Sequence, residues 1–136
     1  MRSALTVCLL ALLLSACGSS APRDSAEEFS GEDKAVAAAV EAIEDAARAD
    51  EPERLCKQLL SEKLLASLEQ KGTNCTTAVS EAFDDASSKD LTVDDVSING
   101  TTATAKVTSG AGSSEKTDTL QLEKAGSSWK ISALQS

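Results

Sequence analysis

The apolar residues of this chain change their spacing several times between the N-terminus and the C-terminus. Ala4 to Leu14 is an uncharged, largely apolar run, whereas Gly18 to Glu32 (GSSAPRDSAEEFSGE) is small, polar and without a period. From Asp33 to Ala49, Val36, Val40, Ile43 and Ala47 recur at the three- and four-residue spacing of one helical face. Ser30 with Asp33 is placed to cap that helix. Asp50-Glu51-Pro52-Glu53 interrupts the period. Pro52 suits a first helical turn and Asp50 with Glu53 forms a capping-box pattern, so a second helix is expected to carry Leu55, Cys56, Leu59 and Leu60. Ser61 is expected to cap a third, bearing Leu64, Leu65 and Leu68 and ending near Gly72. Asn74 is expected to cap a fourth, with Val79, Ala82, Phe83 and Ala86 inward.

At Leu91 the period falls from 3.6 to 2. Leu91 and Val93 alternate, then Val96 and Ile98 alternate in the opposite parity, which predicts a β-bulge at Asp94-Asp95. Asn99-Gly100 reads as a hairpin turn of type I′. Thr101 to Thr108 pairs back, with Ala103, Ala105 and Val107 on one face. Lys116 to Glu123 follows with Leu120 and Leu122 inward, and a last strand carries Trp129 and Ile131. Helices first and an antiparallel meander second define an α+β domain, with N-terminal helices packed on one face of a curved antiparallel sheet of about four strands.

The opening apolar run has its own chemistry. Arg2 and the amino terminus supply positive charge, and Ala4 to Leu14 would rise only about 16 Å as a helix, half of a bilayer core. It ends in Leu14-Ser15-Ala16-Cys17, an aliphatic residue, two small residues and a cysteine. This resembles the lipobox of bacterial lipoproteins. The resemblance implies a signal peptide over 1–16, a diacylglycerol thioether on Cys17 Sγ and cleavage between Ala16 and Cys17. It places the protein at the cell membrane, lipid-anchored on the extracytoplasmic face. Residues 17–32 are then expected to be a lipidated cysteine and flexible tether, and 33–136 the folded domain.

Cysteine arithmetic follows from that reading. Cys8 lies in the discarded run and Cys17 carries lipid, which leaves Cys56 and Cys75 in an oxidising compartment. A disulfide between them would close a loop of about 20 residues and contribute about 3 kcal/mol. The rival reading is a metal or redox pair. Their separation does not fit a Cys-x-x-Cys motif, and without any histidine a zinc site lacks its usual further ligands. Beyond the signal peptide, 12 basic residues face 22 acidic ones. That balance argues against nucleic acid and against docking on anionic phospholipid through a basic face.

The order of elements resembles the NTF2-like (cystatin-like α+β) superfamily, and in particular small exported lipoproteins of actinobacteria. The likeness is carried by RLCKQLLSEKLLASL, NCTTAVSEAF, VDDVSINGTTATAKV and the closing LQLEKAGSSWKISAL. It implies a cone formed by the sheet and helices. Enzymes of the superfamily set an acid or base and a tyrosine or histidine donor inside that cone, and this chain has neither tyrosine nor histidine. The carboxylate pairs Asp84-Asp85 and Asp94-Asp95 are better read as solvated rim and bulge residues than as bases, and their spacing is wrong for a calcium loop. The expectation is therefore a non-enzymatic accessory domain with no catalytic residue, cofactor or metal. Its partners would be the membrane, through Cys17, and an envelope protein or a small apolar ligand. The alternatives are a structural or protective surface lipoprotein and, less favoured, a cryptic enzyme.

Overall fold

A computed structural model describes residues 24–86 and 88–135. Four helices precede a four-stranded antiparallel sheet: α1 (Gly31–Arg48), α2 (Pro52–Arg54, continuing into a π turn over Leu55–Leu59), α3 (Glu62–Gln70) and α4 (Cys75–Asp85). The strands are β1 (Leu91–Asn99), β2 (Thr102–Ser109), β3 (Lys116–Ala125) and β4 (Ser128–Gln135), in the order β1-β2-β3-β4. The sheet is open rather than closed into a barrel, and the helices pack against it. This is the α+β architecture that the change of period predicts.

The sheet follows its pattern closely. In the β1–β2 pair the register shifts between Val93 and Asp95, so Asp94 is the bulged residue and Val93, Val96 and Ile98 share the core-facing side. Ala103, Ala105 and Val107 alternate inward along β2, as do Leu120 and Leu122 along β3. A second shift, opposite Gln121 and Leu122, leaves Ser132 unpaired in β4. Each bulge bends its strand and adds local twist. The first hairpin differs from expectation. Asn99 pairs with Thr102, so the loop is Gly100-Thr101, and of these only Gly100 has positive φ, at 61°. That is the type II′ pattern, in which only the first central residue needs a left-handed conformation.

Helix α1 lies across the inner face. Val36, Ala37 and Val40 are 0% exposed and Leu122 is 1% exposed, in one cluster with Ala105, Leu120, Trp129 and Ile131. Small residues on both surfaces, Ala37 on the helix and Ala103 and Ala105 on the sheet, let the two layers approach closely. Each buried Val or Leu here contributes about 1.5–3 kcal/mol.

The remaining helices are held differently. Ser61 and Asn74 cap α3 and α4 as predicted: Ser61 Oγ accepts from Leu64 N and Asn74 Oδ1 from Thr77 N, both at 3.2 Å. Leu60 leaves the helix to form a parallel bridge with Ile131, and Ser61 N donates to Ile131 O at 2.8 Å. Tertiary pairing with the free edge of β4 therefore overrides the helical period. Leu64, Leu65 and Leu68 are only half-buried, and Ala82 and Ala86, expected inward, are exposed. Phe83 alone of α4 is buried. The caps predicted around α1 and α2 are also corrected. Ser30 precedes α1 without a side-chain bond, and so does Glu51 at α2. Asp50 instead ends α1. It adopts φ 55°, its N–H reaches Ala47 O, and Glu51 N reaches Ala46 O at 2.8 Å, a Schellman arrangement with Asp where glycine is usual.

The ordered fold also begins earlier than the polar run suggests. Ser25–Glu28 form a 3₁₀ turn with Ser25 and Ala26 buried, and α1 starts at Gly31 rather than Asp33. The stretch expected to be tether up to residue 32 is part of the packed domain from Ser25 onward.

Candidate functional site

Polar side chains gather at three places along α1, and each fastens the helix to something. Near its C-terminal end Glu44, 5% exposed, pairs with Arg48 at 2.7 Å while its Oε2 accepts from Leu91 N at 3.3 Å. Arg48 also bridges to Asp90. Midway, Glu41 Oε1 accepts from Ala26 N at 2.7 Å and from Ser25 Oγ at 3.1 Å. Ser25 Oγ in turn accepts from Val93 N at 3.1 Å, in a buried position. These bonds satisfy the N–H groups of Leu91 and Val93 on the outer edge of the sheet, where pairing with another chain would otherwise start.

At its N-terminal end Glu32 pairs with Lys124, whose Nζ lies 5.5 Å from the centre of the Trp129 ring. The Lys124 ammonium holds the Glu32 carboxyl below the usual carboxylate range, outweighing the opposite effect of burial. Among the described residues the buried Nε1 of Trp129 has no acceptor in hydrogen-bonding geometry. The exposed Lys34 ammonium is raised above its ordinary value by the Glu27 carboxylate, 2.7 Å away.

Cys56, in the π turn, is disulfide-bonded to Cys75, the first residue of α4, with their Cα atoms 6.1 Å apart. The bond closes the α3 excursion onto α2. Cys17, the other site residue expected from the sequence, lies outside the described residues. Asp84, Asp85, Asp94 and Asp95 are all exposed. Asp94 accepts a 2.7 Å bond from Thr108 Oγ1, so it is engaged in holding the bulge. Among the described residues no group of three or more histidine, cysteine or carboxylate side chains is arranged to hold a metal, and no helix is long and apolar enough to cross a membrane.

Three open depressions lie on the surface of the described residues. One of about 400 Å³ lies on the sheet face away from α1, beside Ser97, Asn99, Thr104, Gln121 and Glu123, with Lys63 at its rim. Another, of about 450 Å³, borders Asp24, Glu28, Thr92 and Asp94, and a third, of about 590 Å³, borders Pro52, Lys57 and Thr76. On the side of the sheet where a cone would open, Val36, Ala37 and Val40 of α1 are packed without exposure.

Glu44 was visible in principle. It occupies the apolar series Val36, Val40, Glu44, Ala47, where a carboxylate needs a buried partner. Ser25 was not, because one hydroxyl in a serine-containing polar run carries no periodic signal. Compared with protein-family models, with curated proteins and with solved structures, the chain matches none.

Proposed function

We propose that this chain is a lipid-anchored lipoprotein of the bacterial cell envelope, whose α+β domain acts by non-enzymatic contact with an envelope partner on the extracytoplasmic side. The observation that carries this reading is the Cys56–Cys75 disulfide in a chain that also bears Leu14-Ser15-Ala16-Cys17. Structural disulfides belong to oxidising compartments, and the lipobox-like segment gives an independent reason for export to one. The helix-first order and the four-stranded meander support kinship with the NTF2-like fold. Contact through the surface is favoured over an apolar ligand in a cone because Val36, Ala37 and Val40 fill the space beneath the sheet. The reading assigns no catalytic residue, cofactor or metal.

Fatty-acid analogue labelling in a bacterial host tests the anchor. The native chain is expected to take up label and Cys17→Ala to lose it; label persisting in Cys17→Ala would overturn the lipoprotein reading. Mass analysis of the exported protein without reductant should find no free thiol at Cys56 or Cys75.

A further inference from the structure

The strap at Ser25–Glu28 changes how an anchored domain would sit. A polar leader needs no buried contacts, yet Ser25 and Ala26 are each 3% exposed and are bonded to Glu41 of α1 and Val93 of β1. Phe29 adds partial burial against the core. The chain is therefore fixed to the domain from Ser25, and only Gly18 to Arg23 separate Cys17 from Asp24. Seven steps of chain reach at most about 25 Å. A domain of this size has a radius of gyration of about 13 Å, hence a diameter of about 34 Å. That reach is shorter than the body it would carry.

The register shows which end the leader joins. Ser25 meets β1 at Val93, near the strand's start, where Leu91 pairs with Ser109 and Ser109 with Lys116. The Gly110–Glu115 loop lies at this end. At the other end are the two hairpin tips, Gly100-Thr101 and Gly126-Ser127. The eight steps of β1 from Leu91 to Asn99 put about 26 Å between the ends.

Building on the lipoprotein reading, we infer that the strap orients the domain on the bilayer. The end carrying Asp24, Asp94 and the Gly110–Glu115 loop faces the lipid surface, and the two hairpin tips point away, toward any envelope partner. Asp24, Glu28 and Asp94 gather at this end beside Lys116 and the Arg48–Asp90 pair, so its charge is mixed and the short leader holds it near the headgroups.

The test uses the full lipidated protein in phosphatidylcholine vesicles containing a headgroup-nitroxide lipid. A fluorophore is attached through Ser113→Cys in one sample and Thr101→Cys in another. Quenching is expected to be several-fold stronger at position 113, and a long Gly/Ser insert between Arg23 and Asp24 should abolish the difference. Equal quenching in the lipidated protein, or stronger quenching at position 101, would overturn the orientation while leaving the anchor intact. Protein recovered without lipid on Cys17 would overturn both readings.

Discussion

The two halves of this domain solve the same problem by different means. Where α1 meets the sheet, the chain buries Val36, Val40, Ala105, Leu122 and Ile131 in one continuous cluster, and polar bonds from Glu41 and Glu44 close its edge. Where α2, α3 and α4 meet, the leucines of α3 are half-buried, and α4 fully buries Phe83 and packs Val79 and Cys75 only partly against the core. That half instead carries the disulfide, the Ser61 tie to Ile131 and two side-chain caps. A small chain with two phenylalanines, one tryptophan and no tyrosine has enough apolar bulk for one dense core. The second half is held mainly by closing its loop covalently.

The largest expected effect comes from damaging the dense half. Leu122→Ala removes the centre of the cluster and should cost about 2–5 kcal/mol, lowering the single unfolding transition of the whole domain in a denaturant titration. Replacing both Cys56 and Cys75 by Ala should cost about 3 kcal/mol, the chain entropy of a loop of about 20 residues, and should uncouple the helical half from the sheet. A loss of less than about 1 kcal/mol would mean that packing, not the bridge, holds α3 and α4. Ser25→Ala leaves the buried Val93 N–H without its acceptor and should cost about 1–3 kcal/mol, with faster exchange of that amide as the specific sign.

The smallest effect is electrostatic. Glu32 has its carboxyl lowered by Lys124, so its contribution is present above the unfolded value of 4.5 and is lost as pH falls below it through the lower folded value. Glu32→Gln should reduce that acid dependence slightly, as an exposed pair would, in a pH series of thermal unfolding.

The same division explains what could be read from the sequence. In the sheet, each inward residue is set by a period of two, and a parity change at Asp94-Asp95 has one physical meaning, a bulge; both were legible. In the helical half the period of 3.6 identified the elements but not their burial. Ala82 and Ala86 share an apolar stripe with the buried Phe83 yet lie on its exposed flank, and Leu60 abandons its helix because the edge of β4 offers a backbone partner. Asp50 fits a capping box by spacing, but the end of α1 claims it first for a left-handed turn. The disulfide was legible from cysteine counting combined with the lipobox resemblance. The strap was not, since its buried serine depends on Glu41 and Val93, which lie far along the chain.

Native-state hydrogen exchange on the Cys56→Ala, Cys75→Ala protein tests the division most directly. Amides of α3 and α4 are expected to exchange with little protection, while those of β2 and β3 keep the protection of global unfolding. One common level of protection across both regions would contradict the account.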